Sequence, residues 1–171
     1  MKLLFDDITG KSHRYSITDS QWFPPLEECS VIVATAFLSV SRQDHETLIL
    51  EGEIKCRCKV ICDRCGESYE ENLQSEFVYL VTTRGEDIAE VTEQECSDGD
   101  ALTLYLSEPI IEVDAILREQ VWLAVPQKNV CSEDCKGICA GCGVVLHKES
   151  CRCESEKCDS PFAVLKKMKN N

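Results

Sequence analysis

The chain has no hydrophobic run long enough to cross a bilayer. Its best apolar stretch, 31–40, covers half of the roughly 20 residues that a membrane-spanning helix needs. Met1 to Phe5 run directly into Asp6 and Asp7, without the apolar segment or cleavage site of a secretory signal. We therefore expect a soluble, cytoplasmic protein.

Histidine is scarce, and the usual catalytic motifs are missing. The three histidines, His13, His45 and His147, are far apart, and none lies in a His-x-Glu or His-Glu-x-x-His pattern. The sequence also lacks a glycine-rich phosphate loop and a Gly-x-Ser-x-Gly elbow. These absences predict a protein that is not an enzyme and has no small-molecule substrate.

Positive charge is also in short supply. Eighteen Lys and Arg face 31 Asp and Glu, which gives a formal net charge of -13. Nucleic-acid binding by phosphate contacts needs clustered cations, so naked RNA would be repelled on average. A basic partner protein or a locally basic face is needed for any role that involves RNA. The candidate contacts in the C-terminal tail are Lys166, Lys167 and Lys169.

Cysteine, in contrast, is abundant. The chain has 13 cysteines, an odd number that cannot pair completely, and a reducing compartment favours metal over disulfides. Cys139-x-x-Cys142 followed by Cys151-x-Cys153 offers four sulfurs, enough for a closed tetrahedral zinc site. Nearby glycines allow the tight turns that such a site needs. We predict a first structural Zn²⁺ here.

A second cysteine group has two possible arrangements. Cys62 and Cys65 could join Cys131 and Cys135 and fasten the C-terminal region to the rest of the chain. Alternatively, Cys56 and Cys58 could complete a local site with Cys62 and Cys65, or could be small apolar residues of a sheet face. Spacing does not choose between these options, so the sequence predicts one or two structural Zn²⁺ ions.

Hydrophobic patterning predicts an α+β fold. Four short segments have strand character, and Phe77, Tyr79 and Val81 share one face of the third. The segments are 31–38, 47–60, 69–83 and 101–106. They predict an antiparallel sheet curled into a partial barrel.

One main helix should follow the sheet. Ser107-Glu108-Pro109 resembles a helix start, apolar residues then recur at helical spacing, and Pro126 ends the pattern. The predicted organisation begins with a β-rich core domain at 1–126, which includes an acidic loop at 85–100 and the helix at about 109–125. A cysteine-rich zinc module at 127–158 and a tail at 159–171 follow. Residues 161–165 of the tail should return to the sheet.

Several motifs in succession carry a family resemblance. They are Cys62-Asp63-Arg64-Cys65, the segment Leu117 to Pro126, Cys131 to Gly143, Cys151-Arg152-Cys153 and Asp159 to Leu165. In this order they resemble the YceD family, also called domain of unknown function 177. The resemblance implies a bacterial or organellar ribosome-biogenesis factor, needed for accumulation or processing of the large-subunit (23S) ribosomal RNA. Its partner would be a ribosomal protein, precursor large-subunit rRNA or both.

Some residues depart from the family pattern or have two interpretations. His147 replaces the usual Asn. It is either a zinc ligand or solvent-facing, and we favour the solvent-facing position. Cys56, Cys58 and Cys158 are additional to the pattern. Arg64 could offset thiolate charge, the interpretation that we favour, or contact a phosphate. Trp122 lies on the amphipathic helix and could stack on bases, but we favour a position in the hydrophobic core.

Two functions therefore compete. The first is a noncatalytic ribosome-biogenesis factor in which zinc holds a recognition surface in place. The second is a thiol redox or zinc-handling protein in which Cys-x-x-Cys pairs cycle or donate metal.

Overall fold

A computed structural model of the chain describes residues 1–10, 12–27, 29–84 and 102–153. The predicted acidic loop at 85–100 and the tail at 159–171 lie outside these residues. No helix in the described ranges is long and apolar enough to cross a membrane.

A five-stranded sheet is the main element of the fold. Its strands are β2 (His13–Ile17), β3 (Cys29–Arg42), β4 (Thr47–Ile61), β5 (Ser68–Thr82) and β6 (Thr103–Tyr105), in that spatial order. β2 to β5 pair antiparallel, and β6 joins β5 in parallel. The sheet is open because its outer strands β2 and β6 are not paired to each other. The sheet is therefore not a closed barrel, and it is mixed rather than purely antiparallel because β6 pairs in parallel.

The central strand β4 shows why this sequence forms a sheet. Its buried residues alternate with charged ones, as expected for a strand with one face on the core. The buried face carries Leu48, Leu50, Ile54, Cys56, Cys58 and Val60. Gly52 interrupts this face, where a Cβ atom would lie 2.2 Å from the ring of Phe77. The ring therefore occupies the space that the missing side chain leaves.

A second, two-stranded sheet corrects the predicted start of the helix. β1 (Lys2–Leu4) pairs antiparallel with β7 (Ile110–Glu112), and the helix α1 then runs over Val113–Ala124. The helix therefore begins about four residues after the predicted start. Residues 110–112 extend because β1, more than 100 residues earlier, supplies their hydrogen-bonding partner.

Helix α1 packs against the main sheet. Its buried side chains are Val113, Ile116, Leu117, Gln120 and Val121, the spacing of one helix face. The four apolar side chains among them join the buried face of β3, β4 and β5 in a single hydrophobic core. Trp22, only 1% exposed, is the largest fully buried side chain of this core. Trp122 lies outside it at 58% exposure, so its expected core position is wrong.

Candidate metal centres

The first cysteine pair of the inner cluster, Cys62 and Cys65, lies in a turn directly after β4. The Cys62 N–H donates to the Glu67 carbonyl at 2.9 Å, and the Gly66 N–H donates back to the Cys62 carbonyl at 2.8 Å. Gly66 has a φ of 72°, a conformation that glycine adopts without strain. The turn thus directs both thiols toward the segment after α1.

Backbone hydrogen bonds bring that segment to the turn. The Asp63 N–H donates to the Asn129 carbonyl at 2.8 Å, and the Asn129 N–H donates to the Asp63 carboxylate at 2.7 Å. Arg64 reaches further along the segment, and its Nη1 donates to the Cys135 carbonyl at 3.0 Å. These bonds place Cys131 beside the two thiols that follow β4.

The inner cluster consists of Cys62, Cys65, Cys131 and Cys135, whose sulfurs all lie within 4.8 Å of one another. The Cys62 and Cys135 sulfurs are 3.9 Å apart, and those of Cys65 and Cys131 are 3.8 Å apart. Sulfurs at about 2.3 Å from a tetrahedral zinc ion are about 3.8 Å from one another. The four thiols therefore fit a closed four-cysteine site.

The outer cluster consists of Cys139, Cys142, Cys151 and Cys153, which also lie within 4.8 Å of one another. A second turn forms its first pair: the Gly143 N–H donates to the Cys139 carbonyl at 2.8 Å, and Gly143 has a φ of 75°. The sulfurs of Cys151 and Cys139 are 3.2 Å apart, and those of Cys142 and Cys151 are 3.7 Å apart. The 3.7 Å spacing suits the same kind of site, whereas the 3.2 Å spacing is shorter than the sulfur–sulfur separation around a tetrahedral zinc ion.

The two clusters differ in burial. Three of the four cysteines of the inner cluster are at most 5% exposed, namely Cys62, Cys65 and Cys135. In the outer cluster, Cys142 and Cys153 are exposed. The inner cluster is therefore shielded by protein, whereas the outer cluster is open to solvent.

Backbone N–H groups point at sulfurs in both clusters. The Cys131 N–H lies 3.4 Å from the Cys62 sulfur, and the Gly141 N–H lies 3.4 Å from the Cys139 sulfur. The Cys153 N–H approaches the Cys151 sulfur at 3.3 Å. Such N–H groups stabilise thiolates and hold them in place, as bound zinc requires.

The thiol pKa values within the inner cluster diverge. Burial, the largest effect, raises the pKa of Cys62, but several hydrogen bonds led by the Cys131 N–H outweigh it and hold this pKa at about 6. The pKa of Cys131 is raised to about 12 by burial and by hydrogen bonding with Cys135. One sulfur thus favours the anion while another holds its proton. Binding of a divalent metal would displace that proton.

The outer cluster repeats this pattern. The backbone N–H of Cys142 and the thiol of Cys151 lower the pKa of Cys139 to about 6. Hydrogen bonding to Cys142 and Cys151 raises the pKa of Cys153 to about 12. In each cluster, therefore, one sulfur favours the thiolate form and another holds its proton.

The segment that carries the outer cluster also contacts the turn after β4. The Lys148 ammonium lies 2.6 Å from the Glu67 carboxylate, and the Leu146 N–H donates to the Gly137 carbonyl at 2.9 Å. Gly137 has a φ of 74°, and a Cβ atom there would lie 3.0 Å from the Arg64 carbonyl oxygen. A glycine at this position lets the linker between the clusters pass close to the first turn.

The structure also locates the remaining candidate residues. Cys56 and Cys58 lie in the hydrophobic core of the sheet, apart from the inner cluster, so the local set with Cys62 and Cys65 is not formed. Burial raises the pKa of Cys56 to about 11 and that of Cys58 to about 12. These two thiols behave as small apolar residues.

Other candidates have mixed outcomes. His147 is exposed, but its Nδ1 lies 4.0 Å from the Cys135 sulfur, at the edge of the inner cluster. Arg64 is exposed and hydrogen-bonded to backbone carbonyls of the inner cluster. Cys158, Lys166, Lys167 and Lys169 lie outside the described residues.

Sequence reasoning missed Cys29 as a neighbour of Cys58. The Cys29 thiol adjoins that of Cys58, and Cys29 lies on β3 beside the end of β4. The signal available in the sequence was a two-residue repeat of apolar positions, which runs through Cys29 and Val31 and continues at Ala34 after a bulge. The bulge at this point obscures the pattern.

Comparison with known proteins assigns the chain to a family. The sequence profile described as "Large ribosomal RNA subunit accumulation protein YceD" matches residues 50–169, more than half of the chain. The chain belongs to the YceD family. The YceD match begins within β4 and contains both cysteine clusters and α1. It confirms the resemblance noted from the motifs.

A curated YceD relative gives a second comparison. The protein of Arabidopsis thaliana named "Large ribosomal RNA subunit accumulation protein YCED homolog 1, chloroplastic" is 28% identical over 138 residues. The aligned part is 69% of this chain and 43% of the relative, so the chain spans less than half of that relative's length. No solved structure matches the chain.

Proposed function

We propose that this chain is a noncatalytic ribosome-biogenesis factor that supports accumulation or processing of 23S rRNA. The observation that carries the proposal is the YceD match over residues 50–169. The name of the chloroplast relative, which refers to accumulation of large ribosomal subunit RNA, points the same way. A cytoplasmic location is part of this proposal.

The proposed cofactor is one structural Zn²⁺ in each cluster. Four-cysteine sites are typical of structural zinc, which has no open coordination position for a substrate or a catalytic water. Zinc in a small site of this type contributes on the order of 10 kcal/mol to folding at neutral pH. In the inner cluster this energy would join the segment after α1 to the end of β4.

The proposed partner is a ribosomal protein, precursor large-subunit rRNA or both. The formal charge of -13 favours contact with a basic protein, because ribosomal RNA has the same sign of charge. Arg64, Lys166, Lys167 and Lys169 remain candidate contacts. The hydrogen bonds of Arg64 to the carbonyls of Glu133 and Cys135 support a role in holding the inner cluster rather than in contacting a partner.

A noncatalytic role agrees with the ligand sets. Each cluster offers four cysteines, whereas catalytic zinc sites usually have three protein ligands and an open position. The competing thiol redox or zinc-handling function draws some support from the exposed outer cluster, where the pKa of Cys139 is about 6. Metal stoichiometry and thiol reactivity, considered in the Discussion, separate the two functions.

Depletion of the protein in its host tests the main proposal. We expect 23S rRNA to fall relative to 16S rRNA, and sucrose gradients to show fewer large subunits and more incomplete particles. Re-expression of the unaltered chain should restore both, whereas Cys65→Ser should not, since it removes a buried ligand of the inner cluster. Unchanged 23S rRNA and particle profiles after depletion would contradict the proposal.

A further inference from the structure

A cavity of about 480 Å³ lies where the end of α1 meets the turn after β4. Its walls include the apolar residues Pro25, Leu26, Trp122, Val125 and Pro126 and the polar residues Glu27, Asp63 and Asn129. This volume suits a short peptide segment with one long side chain inserted. The cavity is distinct from both cysteine clusters.

Trp122 gives the cavity an exposed aromatic wall. It is 58% exposed, although tryptophan is usually mostly buried, and its helix neighbours on the core face are fully covered. Exposed tryptophans beside a pocket often dominate binding energy in protein interfaces. A cation within about 6 Å of such a ring is attracted to its face.

The polar groups of the cavity accept hydrogen bonds and carry negative charge. Glu27 and Asp63 are exposed, and neither has an ion-pair partner among the described residues. The Oδ1 atom of Asn129, whose residue is only 8% exposed, has no hydrogen-bond partner in the described part of the chain. A buried acceptor without a donor is costly, so an incoming N–H group would be stabilised there.

We propose that this cavity binds an arginine side chain, with flanking apolar residues, from a basic protein partner. Guanidinium stacks on aromatic rings and donates to carboxylate and amide oxygens, which matches Trp122, the two carboxylates and Asn129. The charge of -13 favours a basic protein on approach, and the two local carboxylates repel an RNA backbone. The identity of the partner as a ribosomal protein rests on the proposed function, whereas arginine binding does not.

NMR of the full-length protein tests the chemistry directly. The indole N–H signal of Trp122, assigned by its loss in Trp122→Phe, is followed while N-acetylargininamide, N-acetylnorleucinamide or a twelve-nucleotide oligouridine is added. We expect a saturable shift with the arginine compound that exceeds the shift with the norleucine compound. Glu27→Gln should weaken arginine binding about two- to fivefold, the range for one exposed charge. Leu123→Ala, at a neighbouring position with 69% exposure, should leave binding unchanged.

The other possible occupants give different results. Equal shifts with the arginine and norleucine compounds, or no saturable shift, would overturn arginine recognition. A larger shift with oligouridine would make the cavity an RNA contact instead. If changing Lys166, Lys167 and Lys169 together to Gln moves the Trp122 signal before any ligand is added, the chain's own tail is the occupant and the proposal fails.

Cross-linking in cells separates this inference from the proposed function. The photo-cross-linker p-benzoylphenylalanine replaces Gln127, an exposed residue of the cavity wall. We expect an adduct with a basic ribosomal protein, and Trp122→Ala should reduce the yield of this adduct at least fivefold. An adduct to RNA alone, or none, overturns the docking inference. If that adduct forms while depletion leaves 23S rRNA unchanged, the docking inference stands and the biogenesis function falls.

Discussion

The guanidinium Nη1 of Arg64 lies 3.0 Å from the backbone carbonyl oxygen of Cys135. Arg64 sits between two cysteines of the inner cluster, and Cys135 is a third member, 71 positions away in sequence. The same Nη1 also approaches the Glu133 carbonyl at 3.3 Å. One side chain therefore holds the loop that supplies Cys135 against the turn that supplies Cys62 and Cys65.

Arg64→Ala should loosen the inner cluster without removing a ligand. We expect unfolding free energy to fall by about 1 kcal/mol, the usual net value of an intramolecular hydrogen bond, and zinc loss to a chelator to become faster. Arg64→Lys should restore part of the loss, because one nitrogen, Nη1, makes both bonds and an ammonium also has several N–H donors. Arg152→Ala provides the matched control, since Arg152 is exposed beside the outer cluster. Equal effects of Arg64→Ala and Arg152→Ala would contradict this role.

The two clusters should release zinc at different rates. We expect two zinc ions per purified chain by mass spectrometry under native conditions, and a chelator such as EDTA should remove the outer ion first because Cys142 and Cys153 are exposed. Cys142→Ser should leave one slowly released ion and a folded sheet. Cys65→Ser should retain the rapidly released ion and lower thermal stability.

The same measurement tests the redox alternative. Slow modification of thiols by a disulfide reagent, in step with zinc loss, agrees with structural sites. Substoichiometric zinc together with fast, reversible disulfide formation in the outer cluster would favour thiol redox chemistry or zinc handling.

Stability should fall at alkaline pH because of the core thiols. The folded pKa of Cys58 is about 12 and that of Cys56 about 11, both above the ordinary value of 9.0. Between pH 9 and 12 the unfolded thiols lose protons before the folded ones, so the unfolded state gains relative stability as pH rises. Below pH 9 both states hold these protons, and this effect vanishes.

Urea unfolding at a series of pH values measures this effect. The fall in unfolding free energy from pH 8.5 to 11 should be smaller in the variant with both Cys56→Ala and Cys58→Ala than in the unaltered protein. Ser68→Ala, at an exposed position of β5 outside both cysteine clusters, should keep the original slope. Parallel slopes for all three proteins would show that the core thiols do not contribute.

Gln120 should stabilise the contact between the helix and the sheet. It is 4% exposed, its Nε2 donates to the Tyr79 hydroxyl at 2.7 Å, and its Oε1 accepts from the Ser75 hydroxyl at 3.0 Å. Gln120→Leu leaves both hydroxyls without this partner, and we expect a loss of about 1–3 kcal/mol in urea unfolding. Glu119→Ala, on the exposed side of the same helix turn, should change stability by less than about 0.5 kcal/mol. A smaller loss in Gln120→Leu than in Glu119→Ala would refute the role.

Local periodicity was enough to predict much of the fold. The strand at 47–60 and the shared face of Phe77, Tyr79 and Val81 are confirmed, because both depend on local sequence: residue types that favour strands and the two-residue repeat of a strand. The start of α1 was wrong because the extended state of 110–112 depends on pairing with Lys2–Leu4. A long-range partner of this kind leaves no local signal.

The site residues show the same division. The spacing within Cys62-x-x-Cys65 and Cys139-x-x-Cys142 indicated metal-binding turns, but which pairs meet depends on the chain path across nearly 70 residues. Trp122 was misplaced although a signal existed. The buried positions Val113, Ile116, Leu117, Gln120 and Val121 define one face, and position 122 lies about 100° beyond it.

The length of β4 determines how far apart the two ends of the sheet lie. Its 15 residues, at about 3.4 Å per residue, separate Thr47 from Ile61 by close to 48 Å when fully extended. The cysteine clusters and the Trp122 cavity adjoin the Ile61 end, whereas the ion pairs of Arg84 with Asp44 and Glu46 lie at the other. A molecule bound in the Trp122 cavity would therefore leave the opposite end of the sheet accessible.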